Sequence, residues 1–459
     1  MQSKAKINTT LLLVATMATH FFNPFMGAAV NIALKKIGTE FAMSAVELSW
    51  VSMAYLLGMV MFLVPFGRLG DIWGKTRMFL YGTLFFASAT LICGMANNTA
   101  FLIAMRFTQG IASAMMSATL MALVISAFPP EKRGRVIGLN VSSVYLGSSL
   151  APVIGGFLTD TLTWRSLFFI NALASILIAI LIIWKLNHEW SVVVKEKFDF
   201  KGSVVYMISI SMLMYGLSKL PQINAIMFTF AGIAGLLIFI KMELRTNKPV
   251  LNIRLFTHNR LFALSNLSAF INYSATFAVS FMLSLFLQYV LGLEASQAGM
   301  VLVIQPVIMA IVASFSGRLS DKKNPRILSA IGMGTSATGL FLLSLINQDT
   351  KTSFILIGLF ILGIGFGFFS SPNTNVVMGS VERKVYGTAS AMLATMRSTG
   401  MMFSMAIASL TIHWFLGKEQ ISISNLAQFT TSTKVVFTIF TVLCLFGVYT
   451  TLTKNKKTQ

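Results

Sequence analysis

The chain is a succession of apolar runs separated by short polar stretches. Fourteen runs can be marked, at 9–31, 46–66, 78–97, 100–126, 135–158, 165–187, 202–220, 224–242, 262–290, 296–317, 326–346, 353–376, 386–412 and 433–453. A helix needs about 20 apolar residues to cross a hydrocarbon core about 30 Å thick. Each run therefore predicts one membrane-crossing helix. The ninth and thirteenth are longer than needed and predict helices that tilt or extend past the bilayer. No stretch between the runs reads as a water-soluble domain, so the fold class is an all-α polytopic membrane protein with 14 transmembrane helices.

The densest polar stretch lies between the second and third runs. It reads GRLGDIWGKTR, Gly67 to Arg77, and a looser copy, GRLSDKKNPR, spans Gly317 to Arg326. Gly, Arg, Leu and Asp keep their relative places in both, which predicts a chain built of two related halves. Glycines let two helix ends approach closely, and Asp71 can accept from backbone N–H groups or an arginine. Lys75 and Arg77 hold the loop on one side of the membrane. The residues Gly67, Asp71, Gly74, Lys75, Arg77, Gly317 and Asp321 are thus candidates for a conformational latch; the plainer reading is a basic loop with an incidental acid.

Composition agrees with the pattern: 56% of the 459 residues are hydrophobic, 11% are charged, and the mean hydropathy is +0.78. An average soluble domain carries about 25% charged residues. The net charge of +21 raises the question of nucleic acid. The placement of the charge answers it. With the N-terminus inside, 26 of the 35 Lys and Arg fall in inside segments, whereas the outside loops hold six: Lys35, Lys36, Arg165, Lys219, Lys351 and Lys418. That bias predicts cytoplasmic termini and explains the charge by orientation and anionic membrane lipid, with no nucleic-acid partner. Lys4 and Lys6 precede a run too long for a signal-peptide core, so it reads as a retained first span. Cys93 and Cys444 fall in apolar runs, with neither disulfide nor metal-ligand spacing.

Arg106, Arg397 and Lys434 fall within runs. Lys434 opens the last run and can snorkel, but Arg106 and Arg397 must face a bundle interior or a wet cavity. All 14 acidic residues lie in loops or near span ends, so a cavity between these helices is electropositive or neutral. Arg106, Gln109 and Gly110 share roughly one helix face. His20 and Asn23 stand one turn apart on the first span, with Asn31 further on; His20 either titrates in a cavity or is a neutral helix contact. Asn373 and Asn375 on the twelfth span are polar lining or helix–helix glue. There is no phosphate-binding glycine loop and no catalytic spacing. The chain reads as a non-enzyme without metal or cofactor.

Five segments resemble known motifs. GRLGDIWGKTR is similar to the loop between helices two and three of the major facilitator superfamily, with Ile72 where a basic residue is usual. RFTQGIASA resembles that family's fourth-helix motif, whose arginine is implicated in proton transfer or charge balance; this implies such a role for Arg106 with Gln109, and His20 is a further candidate. GLNVSSVYLGSSLAPVIGG, with Gly138, Gly147, Pro152, Gly155 and Gly156, resembles the antiporter motif of proton-driven exporters, with Ala151 where a glycine is usual. Small residues along one face would permit close packing there. TWRSLFFINA, with Trp164, Arg165 and Asn171, and FDFKG before the seventh span resemble the fourteen-span drug:proton antiporters in particular.

The resemblance implies two six-helix bundles, 1–190 and 259–459, with two extra helices inserted between them in 191–258. It further implies a monomer in the cell membrane that exports amphipathic compounds in exchange for protons by alternating access. Relatives commonly carry an acid in the first span where this chain has Met26. Without it, a cavity with Asn23, Met26, Asn31, Asn373, Asn375 and Arg397 predicts a small amphipathic substrate that is neutral or anionic rather than dicationic. The alternative is dedicated export of one endogenous lipid-like metabolite. A membrane scaffold without transport would need these motifs to be relics.

Overall fold

The computed structural model describes residues 9–185, 198–220, 222–246, 249–382 and 385–453. Among them, 14 helices are long and apolar enough to cross a membrane: α1 Thr9–Glu40, α2 Ala45–Trp73, α3 Lys75–Gly94, α4 Thr99–Ala127, α5 Lys132–Thr161, α6 Trp164–Trp184, α7 Phe200–Lys219, α8 Ile223–Arg245, α9 Arg260–Val290, α10 Ala295–Ser320, α11 Pro325–Ser344, α12 Thr352–Gly379, α13 Tyr386–Leu416 and α14 Ile423–Leu452. Each begins and ends for local reasons. Ser44 and Glu47 form a capping box at the start of α2, and Asn98 caps α4 by accepting from Phe101 N at 2.9 Å. The α2–α3 turn rests on Gly74 at φ 112°, where a side chain would be strained.

Several helices outrun their apolar segments, because a helix continues through polar residues once it leaves the hydrocarbon. The first extends to Glu40 through Lys35 and Lys36. The last begins at Ile423, so Lys434 stands well inside α14 and does not open it; the threonine- and serine-rich turns before it concealed the true start.

Two bundles use one packing scheme. In α1–α6, α2 packs on α4, α1 on α5 and α6, and α3 on α4 and α6; in α9–α14, α10 packs on α12, α9 on α13 and α14, and α11 on α12 and α14. Adding eight to each helix number converts one set into the other, so the repeat hinted at by the two polar loops extends to whole bundles. Apolar chains gain little by leaving lipid for one another, so such pairs hold by close contact. A Cβ on Gly110 would sit 2.0 Å from Tyr55 O on α2.

The inserted helices α7 and α8 pair with each other, and α7 leans on α2 and α13 at the seam between bundles. Tyr206 OH donates to Val60 O at 3.1 Å. At the hairpin's base Asp199 Oδ1 accepts from Gly202 N at 2.9 Å and caps α7, the work done by FDFKG. Nearby Glu243, 1% exposed, accepts from Leu251 N at 2.9 Å and pins the segment leading to α9. Although near a span end, as its place in the sequence predicts, this acid is buried.

The direct contacts between the bundles gather mainly at one end. There Ser284 Oγ donates to Asn31 O at 2.8 Å, Gln288 Nε2 to Ile32 O at 2.9 Å, and Lys35 Nζ to Gln288 O at 2.8 Å. Ser49 and Ser409 hydroxyls lie 2.8 Å apart. Asp160 accepts from Ser296 N at 2.7 Å at the head of α10 while paired with Lys36 at 2.9 Å. Toward the other end, which carries the loops 67–77 and 317–326, the bundles part around a cavity.

Candidate functional site: the central cavity

The cavity has a volume of about 1030 Å³ and takes its walls from both bundles. It runs from Asn31, Pro152 and Leu302, beneath the sealed end, to Gly134 and Tyr386 near the loop-bearing end. Its described lining contains neither aspartate nor glutamate.

The α1–α6 wall is polar but internally satisfied. Tyr55 OH donates to Asn23 Oδ1 at 2.5 Å, and Asn23 Nδ2 donates to Ser113 Oγ at 2.8 Å. Behind Tyr55, its ring 4.6 Å from the guanidinium carbon, lies Arg106, only 1% exposed. Arg106 Nε donates to Val51 O at 3.0 Å and Nη1 to Gln109 Oε1, while Gln109 Nε2 donates to Thr90 Oγ1 at 2.7 Å. A buried cation without a carboxylate is thus held by a carbonyl, an amide and a π face. His20 Nδ1 meets Thr16 O and Asn140 Oδ1, both at 2.9 Å; both partners are oxygens, so this nitrogen is the donor. The residue borders the cavity while tying α1 to α5.

The other wall differs. Arg397 on α13 donates from Nη2 to Thr374 Oγ1 at 2.6 Å and faces the Tyr273 ring at 5.6 Å. Tyr273 meets Phe366 edge-on at 5.2 Å, and Tyr145 OH reaches across from α5 to within 3.4 Å of Ser370 Oγ. Asn375 borders the cavity and donates to Ser320 Oγ at 2.5 Å.

Two of the anticipated lining residues are elsewhere. Met26 is 1% exposed within the apolar core, and Asn373 is buried in its bundle. The aromatic hydroxyls Tyr55, Tyr145 and Tyr273 and the acceptor Thr374 are lining residues that the sequence did not single out. Within an apolar run a tyrosine or threonine carries no mark of which way it faces.

The glycine motif of α5 serves two faces rather than one. A Cβ on Gly147 would lie 2.2 Å from Phe21 O and one on Gly155 2.9 Å from Ala29 Cβ, both on α1. Gly156 turns to the other bundle, 2.5 Å from Ala295 O by the same construction, and Pro152 O lies 2.0 Å from where a Cβ on Gly299 would be. Gly138 has open space and borders the cavity. Trp164 Nε1 and Arg165 grip Glu40 at 2.6 Å each, and Asn171 Nδ2 donates to Phe22 O at 2.9 Å, so TWRSLFFINA fastens α6 to α1.

The two loops engage their own bundles in this state. Asp71 pairs with Lys75 at 2.7 Å, Gly317 packs toward Ser371, Gly67 has no neighbour within 4 Å of a would-be Cβ, and Arg77 and Asp321 are exposed.

The sequence model of the Major Facilitator Superfamily matches residues 16–405 and 265–456. The chain belongs to this superfamily. It is 27% identical to the riboflavin transporter RibZ of Clostridioides difficile, over 98% of each chain, and 28% identical to multidrug resistance protein 3 of Bacillus subtilis, covering 88% of this chain and 79% of that one. Among solved structures, a bacterial homolog of the human lysosomal transporter Spinster, in an inward-facing and unoccupied conformation, superimposes with a TM-score of 0.65 at 15% identity, over 97% of both chains. This superfamily consists of transporters, and the cavity lies where its two halves meet.

Proposed function

We propose that the chain is a secondary active exporter of small amphipathic compounds, coupled to protons, that works by alternating access as a monomer in the cell membrane. The observation that carries this reading is the 1030 Å³ cavity, walled by both bundles and sealed at one end by contacts between them. Midplane sites between repeats, exposed to one side at a time, are the working principle of secondary transporters. The cation-rich end is read as cytoplasmic, which makes this state inward-open and loads substrate from inside. The antiporter-like motif of α5 and the multidrug relatives favour export.

The acid-free lining favours neutral or anionic substrates. Apolar and aromatic walls with a few directed polar groups suit a drug-sized amphipath. A second reading, dedicated export of one endogenous metabolite, gains support from the same lining and from the relative named a riboflavin transporter. Proteoliposomes discriminate by charge: a lipophilic neutral or anionic compound should be transported in preference to a lipophilic dication. Robust, competitive transport of the dication overturns the charge argument. Inhibition by many unrelated amphipaths supports the broad exporter; inhibition by one compound class alone supports the dedicated one.

A further inference from the structure

Two arginines border the cavity, and their donors differ in availability. Arg106 is nearly sealed off, its guanidinium spent on Val51 O, Gln109 and the Tyr55 ring. Arg397 is half-buried and makes one hydrogen bond to the described protein, from Nη2 to Thr374. A guanidinium carries five N–H donors in a planar fork, so Arg397 keeps most of its hydrogen-bonding capacity. Its Nε, itself buried, has no hydrogen-bond partner among the described residues. No carboxylate and no lysine stands in the described lining. The cation is therefore unneutralised in a space of low polarity, where an unpaired charge is costly and an anion is correspondingly well received.

The surroundings fit the rest of such a ligand. Tyr273 and Phe366, edge-on at 5.2 Å, offer a ring face and a ring edge beside the guanidinium. Thr374 donates back to Ser370 O at 2.8 Å, which orients its oxygen lone pair toward Arg397 and fixes the fork. Tyr145 comes from the opposite bundle to within 3.4 Å of Ser370 Oγ. A ligand seated here touches both halves.

We propose that Arg397 is the anion-recognition point of the cavity, receiving the carboxylate or other oxyanion of an aromatic amphipath whose rings lie against Tyr273 and Phe366. This deepens the exporter reading and rests on it for the cavity's role. The oxyanion takes the free fork of Arg397 in paired, charge-assisted hydrogen bonds, and the rings stack near Tyr273. Arg397 is a specificity-determining residue; Thr374 positions it.

The test compares a matched pair of probes, 2-anthracenecarboxylate and 2-anthracenecarboxamide, with binding to the purified full chain measured at pH 7. The two have nearly the same shape, and only the acid is charged. The wild type should bind the carboxylate tighter by on the order of 10- to 100-fold, the range of a hydrogen bond to a charged partner. Arg397→Gln should bring that ratio to about 1 and leave the amide affinity within about 2-fold; Arg397→Lys should retain part of the preference. Should Arg397→Gln fail to fold, Thr374→Ala removes the one hydrogen bond that positions the fork among the described residues and should lower the ratio by itself. A wild-type ratio at or below 1, or one unmoved by these substitutions, overturns the proposal. Binding does not require transport, so the two readings fail separately. A wild type that prefers the carboxylate but exports nothing contradicts the exporter and keeps the subsite. Export of both probes, indifferent to Arg397, contradicts the subsite and keeps the exporter.

Discussion

Replacing Gly299 with alanine should hold the sealed end open. In the structure the added Cβ would lie 2.0 Å from Pro152 O and 2.7 Å from Pro152 C, whereas ordinary contacts of a Cβ begin at 3.4 Å. The obstructing atoms are backbone, so α5 and α10 must part by about 1 Å or more. Overpacking of this kind costs roughly 1–3 kcal/mol. Because α5 and α10 belong to different bundles, that cost falls on the state sealed at this end and spares the opposite one. An energy of that size moves a two-state equilibrium by roughly 5- to 150-fold. The shift can be read as labelling of Ser409→Cys, whose native hydroxyl is 2.8 Å from Ser49 across the same seal, by a membrane-impermeant thiol reagent. The native Cys93 and Cys444 are buried, so background is low. Gly299→Ala should raise labelling at least about 5-fold and reduce export comparably. Gly379→Ala, which meets open space, should do neither. Gly147→Ala, which collides with Phe21 O inside one bundle, should instead lower folded yield. Unchanged labelling and export in well-folded Gly299→Ala would refute the assignment of this contact to the seal between the bundles.

Other substitutions test separate parts of the account. Arg106→Ala leaves Val51 O and Gln109 without their partner, and with hydrogen bonds to charged groups worth roughly 1.5–3 kcal/mol it should lower the thermal midpoint of the purified protein by several degrees. Arg106→Lys should rescue little, because an ammonium cannot stack on Tyr55 while serving both oxygens. Glu243→Ala frees the Leu251 N–H and should destabilise by about 1–3 kcal/mol, read as faster proteolysis between α8 and α9. Glu243→Gln keeps an acceptor there and should be nearly silent in the same assay.

The architecture was readable because lipid imposes a length rule on each span, and each of the 14 apolar runs corresponds to one long apolar helix among the described residues. The repeat was visible in eleven residues around Asp71 and then held for whole bundles. The cavity was less legible. Arg106 and Asn23 were identifiable as polar groups within apolar runs, but their partners, the Tyr55 ring and hydroxyl and the Ser113 hydroxyl, look in sequence like ordinary members of such a run. Met26 and Asn373 fell on the buried faces of α1 and α12 because facing depends on helix rotation, and in a bundle that exchanges lipid for protein contact the apolar pattern does not fix rotation. The α5 glycines were recognised as a group, whereas their division between α1 and α10 depends on which neighbour each one meets.

The central claim, export through the cavity driven by protons, is most directly tested in inverted membrane vesicles. A labelled neutral or anionic amphipath is supplied with and without an imposed pH gradient, acidic inside. The account predicts accumulation that depends on the gradient, collapses with a protonophore and falls at least about 5-fold in Gly299→Ala. Accumulation that is indifferent to the gradient, in vesicles shown to be sealed, would contradict it.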